Sequence, residues 1–271
     1  MFIYGSYALK HWFPSQRDPR DIDIILLKEQ DRDAAVIAQL ESHTIPIEIT
    51  VAPFFETVAH LTENEYFTPQ GLLTIKISHA YIDESWWKTA EDIMFLQAQG
   101  IDYDRAAALD LRTHWDLIHA GKRAQMNMKQ TPDKFFNSLV TRYVSHDEIH
   151  DALRIDSVPA YTRILDNDTT VEVSKTKFEQ LTHSQQLLTA VEEIAVLACE
   201  RHFDATDARS AYAQAAHAFV TRMTAGWYNL FVLENLDQIL NYEQTNIYEN
   251  MQKIMQYILH KHLEQTQESS N

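Results

Sequence analysis

A single cysteine, Cys199, stands in 271 residues, so no intrachain disulfide can form and Cys-rich metal or redox centres are excluded. A reducing, cytoplasmic setting is the expectation. Glycine numbers five and proline seven, too few for a turn-rich all-β fold, so long helices are favoured. Basic side chains are scarce as well: 23 Lys and Arg face 39 Asp and Glu, a formal net charge of -16. The first hundred residues hold 7 basic and 15 acidic side chains and the rest 16 and 24, so neither part is a basic module. Extended duplex nucleic acid is thereby an unlikely partner, because such binding depends on cations that displace counterions. Also missing are an apolar run of bilayer length and the charged-then-apolar opening of a secretion signal, so no membrane partner is expected. What is present is 45% hydrophobic and 11% aromatic, enough to bury a core in one large domain or two ordinary ones. Composition leaves the oligomeric state open.

Strand patterns fall in the first fifty-odd residues. Phe2-Ile3-Tyr4 is a short apolar run ended by Gly5-Ser6. Ile22, Ile24 and Leu26 interleave with Asp21, Asp23 and Ile25, and Ile45, Ile47, Ile49 and Val51 interleave with Pro46, Glu48 and Thr50. Between them, residues 31–42 carry apolar side chains at helical spacing. Strand, helix, strand, helix, strand is the opening of a small α/β sheet. After Pro69 the pattern turns helical, with Gly100 a plausible stop for a helix begun at Trp86. Helical spacing recurs over 184–202, 208–224, 227–242 and 244–263. The stretch 156–174, with Pro159 and Asp166-Asn167-Asp168, reads as a linker or long loop, and the polar tail 265–271 as frayed. The expected class is α+β: a small mixed-sheet domain at 1–100 followed by an all-helical domain at 101–264.

Chemistry concentrates on the strands. Asp21 and Asp23 are two residues apart, so on a strand both point to one face while Ile22 turns to the other. Two like charges so close call for a cation, and hard oxygen ligands suit a divalent metal such as Mg²⁺, often shared with substrate phosphates. Glu48 lies between Ile47 and Ile49 and supplies a third carboxylate if its strand neighbours that of Asp23. Gly5-Ser6, between a strand and a helix that begins near Tyr7, exposes backbone N–H groups of the kind that favour phosphate.

These residues resemble the nucleotidyltransferase superfamily with the DNA polymerase β-like catalytic fold. Its pattern is a hydrophobic strand, Gly-Ser, a helix, Asp-x-Asp on a strand and an acid on a later strand. Here that reads Phe2-Ile3-Tyr4-Gly5-Ser6, Arg20-Asp21-Ile22-Asp23-Ile24 and Ile47-Glu48-Ile49, with Lys76, Lys88 and Asp92 on later helices. The resemblance covers roughly residues 1–100. Two features depart from it: 14 residues separate Ser6 from Asp21, with Pro14 and Pro19 among them, and the sequence opens directly on the first strand.

The resemblance implies a transferase that moves a nucleoside monophosphate from a nucleoside triphosphate to a hydroxyl or phosphate acceptor. A small molecule, a protein side chain and an RNA end are all open as acceptor. It implies Mg²⁺ or Mn²⁺ as cofactor, with Asp21 and Asp23 as shared ligands and Glu48 completing a second metal site and serving as base. Gly5 and Ser6 would hold the triphosphate, and Lys76 would offset its charge. The plain alternative for Lys76 is an exposed helix lysine. For the three acids it is the solvated face of a half-exposed sheet. A catalytically silent nucleotide-binding or protein-interaction factor on the same fold is the competing function.

A second constellation is His146-Asp147-Glu148-Ile149-His150, whose two histidines share a helix face four residues apart. They are candidates for metal, phosphate or substrate contact, or else polar residues packed on aromatic neighbours. A hydrolase centred on them would carry a transition metal and survive loss of Asp21. The segment is similar to one in phage-encoded proteins of the same two-part layout. Ahead of it, Lys122, Arg123, Lys129, Lys134 and Arg142 stand against Asp133 alone. That cationic stretch is either a solvated surface or a seat for substrate phosphates. Trp86, Trp87, Trp115 and Trp227 fall at helical spacing and read as core, as does Cys199.

Overall fold

The computed structural model describes residues 1–82, 86–129, 144, 146–153, 163–166, 170–173, 175–202, 207–222, 226–242 and 246–269. The fold is α+β: a five-stranded mixed sheet near the N-terminus, then mostly helices. Contacts divide the chain into two compact units, Met1–Gly121 and Lys122–Asn271.

In the first unit, β1 (Phe2–Tyr4) runs directly into α1 (Gly5–Trp12), and β2 (Ile22–Leu26), α2 (Ala34–Leu40) and β3 (Ile47–Val51) follow. A run of 3-10 turns over Pro53–Leu61 leads to β4 (Thr62–Glu63) and β5 (Tyr66–Phe67). The spatial order is β3-β2-β1-β5-β4. β1 is antiparallel to β2 and parallel to β5, while β2 and β3 are parallel. Parallel pairing of β2 and β3 needs a crossover, and α2 supplies it.

Burial follows the alternation read from the sequence. Ile22, Ile24 and Leu26 are fully buried with Ile3, Ala8 and Leu9, while Asp21 and Asp23 on the opposite parity are only part-buried. α2 is shorter than the helical spacing over 31–42 suggests, because Asp33 accepts the Val36 N–H at 3.2 Å and caps its start. β3 starts after Pro46, which cannot donate to the ladder.

β4 and β5 form a hairpin beyond the expected strand region. Its two turn residues, Asn64 and Glu65, both have positive φ, 47° and 71°. That backbone matches the tight hairpin turn usually marked by Asn-Gly, a marker Asn-Glu does not provide.

Next come α3 (Pro69–His79), α4 (Trp86–Ala98) and α5 (Arg105–Lys129). Thr68 caps α3, accepting the Gly71 N–H, and Pro69 occupies its first turn. α3 is buried from Gly71 to Ser78, Lys76 included. The unit boundary falls inside α5, beyond the expected division at residue 100, because aromatic packing ties the first half of that helix to the sheet unit. The Trp115 ring meets Phe54 and Phe55 edge-on at 5.0 and 5.9 Å, and its Nε1 donates to Ser78 Oγ at 3.1 Å. Tyr81 donates to Asp116 at 2.6 Å, and Arg112 lies over the Tyr81 ring at 3.9 Å.

The second unit is built mainly from helices: α6 (His146–Leu153), α7 (Lys175–Glu179), α8 (His183–Arg201), α9 (Ala208–Arg222), α10 (Gly226–Glu234), α11 (Leu236–Leu240) and α12 (Ile247–Glu268). Thr182 and Gln185 cap α8 reciprocally. Its core includes Val191, Ile194, Phe219, Val232, Met255 and fully buried Cys199, whose thiol burial pushes up from its ordinary pKa. Trp227 packs on Phe178 and Tyr228, whereas Trp87 in the first unit is nearly half exposed, against the core reading.

Two expectations are corrected here. Within 156–174, Arg163–Asp166 and Thr170–Val173 pair as an antiparallel hairpin, β6 and β7, rather than a structureless linker. Ile164 and Leu165 on one strand and Val171 and Val173 on the other are the apolar residues of the pair. The C-terminal segment is helical through Glu268, because α12 continues past its apolar stripe with side chains that favour helix. Among the described residues no helix is long and apolar enough to cross a membrane.

Candidate functional site

β2 carries the site. In its parallel ladder with β3, Asp23 lies directly opposite Glu48, and in its antiparallel ladder with β1 it lies opposite Tyr4. Paired residues of neighbouring strands project to the same face, so Asp23 and Glu48 share one, and Asp21, in the bend just before β2, is close enough for its charge to act on Asp23. Asp21 and Asp23 are part-buried and Glu48 is exposed on the edge strand. Burial pushes the Asp23 carboxyl up to about 6, the neighbouring charges of Asp21 and Glu48 push it the same way, and Lys88 and Lys76 oppose them. Asp21 Oδ1 is buried without a hydrogen-bond partner among the described residues.

Gly5 is where the chain leaves β1 and α1 begins, at φ +69°, a conformation costly for any residue with a Cβ. A Cβ there would stand 2.1 Å from Asp23 Oδ2. The glycine therefore lets the backbone close against the carboxylate, at the positive end of an eight-residue helix with no acidic side chain in its first turn. Beside it Ser6 is 3% exposed, and its hydroxyl has no partner among the described residues. A buried polar group left so costs roughly 1–3 kcal/mol.

Lys76 is not the exposed helix lysine of the plain alternative. Its Nζ lies 2.7 Å from Asp92 Oδ2, and Asp92, on α4, is fully buried. Arg17, from the loop between α1 and β2, grips the same carboxylate with both terminal nitrogens, Nη1 on Oδ1 and Nη2 on Oδ2, the latter at 2.8 Å. Burial would raise Asp92, but the Arg17 hydrogen bond and the Lys76 charge outweigh it and hold the carboxyl below its usual range. Sequence reasoning missed Arg17 as a site residue. Its partner is 75 positions away, and no local spacing marks the pair.

The donor set on β2 and β3 is all oxygen, the chemistry of hard divalent cations. Among the described residues no group of three or more His, Cys, Asp or Glu side chains converges closely enough to hold a metal ion by itself. A Mg²⁺ site built on one or two carboxylates and completed by substrate phosphates does not need such a group. Of the second constellation, the backbones of His146 and His150 lie on α6 and that of Lys129 on α5. Their side chains, and all of Lys134 and Arg142, lie outside the described residues.

No curated protein and no solved structure matches the chain. One family model does, over residues 71–253, a span that includes Lys76, Lys88 and Asp92 and begins after the strands that carry the three acids. That match covers more than half of the 271 residues, and the chain belongs to the family described as Domain of unknown function (DUF7275).

Proposed function

We propose that the first unit is a metal-dependent nucleotidyltransferase site that moves a nucleoside monophosphate from a nucleoside triphosphate to a hydroxyl or phosphate acceptor. The observation that carries the reading is the β2–β3 register, with Asp23 opposite Glu48 and the Gly5 backbone closed against the same carboxylate. A solvated sheet face has no reason to raise a carboxyl to about 6 beside two further acids. Asp21, Asp23 and Glu48 would hold Mg²⁺ or Mn²⁺, which supplies charge for the phosphates and acidifies an attacking hydroxyl. Asp21 Oδ1 and Ser6 Oγ, both buried without partners among the described residues, are groups that a metal and a phosphate would satisfy. Lys76, held by Asp92, adds a cation whose charge reaches Asp23. Glu48, the exposed member, is the residue free to take a proton from the acceptor.

The test is incubation of labelled nucleoside triphosphates with Mg²⁺ or Mn²⁺ and a panel of small-molecule, protein and RNA-end acceptors. Labelled product is expected, and Asp21→Ala with Asp23→Ala should lower its formation by about a thousandfold or more. Nucleotide binding with no acceptor ever labelled would replace this reading with that of a silent binding factor. Product formation indifferent to the double substitution would remove the site altogether.

A further inference from the structure

Asp92 holds more positive charge than one carboxylate needs. Arg17 alone satisfies both of its oxygens, yet Lys76 also bonds to Oδ2, which two cations therefore share. The three groups carry one surplus positive charge, opposed at Arg17 by Glu91, where the Asp92 side chain is fully buried and that of Lys76 is 10% exposed. Isolated charge is expensive to bury, so an arrangement that gathers a surplus calls for an anion. Lys76 uses one of its three N–H donors on Asp92, and its charge also reaches Asp23. Arg17 keeps part of its side chain in solvent, at 31% exposure.

Its loop is shaped to deliver it. Lys10 Nζ donates to the Gln16 carbonyl at 2.7 Å and pairs with Asp18 at 2.9 Å, so the residues on both sides of Arg17 are tied to α1. The Phe13 ring at the loop's start packs on Phe95 of α4, three residues from Asp92.

We propose that Asp92 is a positioning residue that sets Lys76 and Arg17 as a two-cation seat for a polyphosphate beside the carboxylate cluster. The inference rests on reading Asp21, Asp23 and Glu48 as the metal-binding face. Across the whole site the cations Arg17, Lys76 and Lys88 face Asp21, Asp23, Glu48 and Asp92, and Glu91 acts on Arg17 as well, so the balance is negative. A polyphosphate is therefore received as its Mg²⁺ complex, with Asp23 on the metal side and Lys76 on the phosphate side.

The experiment is calorimetric titration of the full chain with tripolyphosphate, with and without Mg²⁺, and a thermal melt of each variant. Lys76→Met and Arg17→Ala should each weaken binding of the Mg²⁺ complex by about tenfold or more, as loss of a charge-assisted hydrogen bond does. Arg17→Lys should recover part of that loss. The sign of Asp92→Asn is the sharpest readout. Simple electrostatics has removal of a negative charge tighten anion binding, whereas a positioning role has it weaken binding by about tenfold. Unchanged or tighter binding in a folded Asp92→Asn protein overturns the proposal. If that variant does not fold, wild-type affinity in Arg17→Ala overturns it instead. Asp21→Asn with Asp23→Asn separates the two readings. Binding lost there but kept in the Arg17 and Asp92 variants sinks the cation seat alone; the reverse pattern sinks the metal face alone. A wild-type chain that binds no Mg²⁺ tripolyphosphate sinks both.

Discussion

The first unit buries two aspartates in opposite company. Around Asp23, on the strand, the nearest charges include two other acids, and the carboxyl is driven up to about 6. Around Asp92, at the junction of α3, α4 and the Arg17 loop, two cations surround one acid and the carboxyl is held down. Burial acts upward on both, so the difference lies in the neighbours alone. In one region the acid is fully satisfied and the cations are in excess. The other stores like-charge repulsion that the fold itself does not relieve, which is the condition expected of a site awaiting a ligand.

Asp92→Ala should break the comparison most severely, since removing the shared acid leaves Lys76 buried and uncompensated. Loss of one partner from a buried ion pair costs about 3–5 kcal/mol. Because Arg17 can turn toward solvent, the lower end of that range is expected from urea unfolding. A loss below about 1 kcal/mol, the size of a surface pair, would show the junction is not structural. Its pH dependence has a fixed sign. A carboxyl lowered on folding contributes stability that is present above its ordinary 3.8 and is lost as pH falls through the folded value. Asp92→Asn should therefore flatten the acid limb of the stability curve below about pH 4.

Gly5→Ala comes next. A left-handed backbone costs a non-glycine residue about 1–2 kcal/mol, and that is the destabilisation expected in a thermal or urea melt. The added Cβ meets a side-chain oxygen, Asp23 Oδ2, rather than backbone, so the carboxylate gives way before the fold does. Mg²⁺ tripolyphosphate binding should fall far more than stability does. Equal binding in the two proteins would mean that contact between Gly5 and Asp23 is incidental.

Asp23→Asn should act in the stabilising direction, by on the order of 1 kcal/mol at neutral pH after allowance for solvent screening. A carboxyl raised on folding adds stability below its ordinary 3.8, and that contribution is lost as pH rises through about 6. Wild-type stability should thus decline across that window, and the asparagine variant should remove the decline. Added Mg²⁺ should raise the wild-type melting temperature above pH 6 and leave Asp23→Asn unmoved. A carboxylate that is merely solvated gives the same curve in both proteins.

Much of this contrast was legible one side at a time. Alternation about Ile22 and Ile24 put Asp21 and Asp23 on a common face, and the isolated Glu48 on the next strand pattern pointed to a third acid. Their pairing in register, Asp23 to Glu48, follows from a parallel crossover through α2. The Asp92 side was opaque because its two partners, Arg17 and Lys76, come from two other elements, joined to α4 only in the folded chain. Tertiary packing also decided the unit boundary, through Trp115, and hairpin geometry hid where the turn residues departed from the usual chemistry, as at Asn64-Glu65. Over 156–174 the cluster of Pro159 and Asp166-Asn167-Asp168 reads as a linker or long loop, whereas the apolar residues at 164, 165, 171 and 173 fit the two strands found there.

Lys88 offers the finest adjustment of the comparison. It sits on α4, the same helix as Asp92, yet its charge is felt at Asp23, where it is the largest influence that lowers the carboxyl. It therefore carries to the strand region a fraction of what Arg17 and Lys76 give Asp92. Lys88→Met should raise the Asp23 carboxyl further, by on the order of half a pH unit for a charge acting through partly solvated surroundings. Stability should change by less than the loss of a buried ion pair costs, since Lys88 acts on Asp23 as a charge rather than through a direct bond. Carboxyl-detected NMR titration of Asp23 in the two proteins measures the shift, and adding salt should shrink it if the interaction crosses solvent. An unchanged titration would mean that burial and the neighbouring acids set the Asp23 carboxyl by themselves, leaving Lys76 as the one cation coupled to both regions.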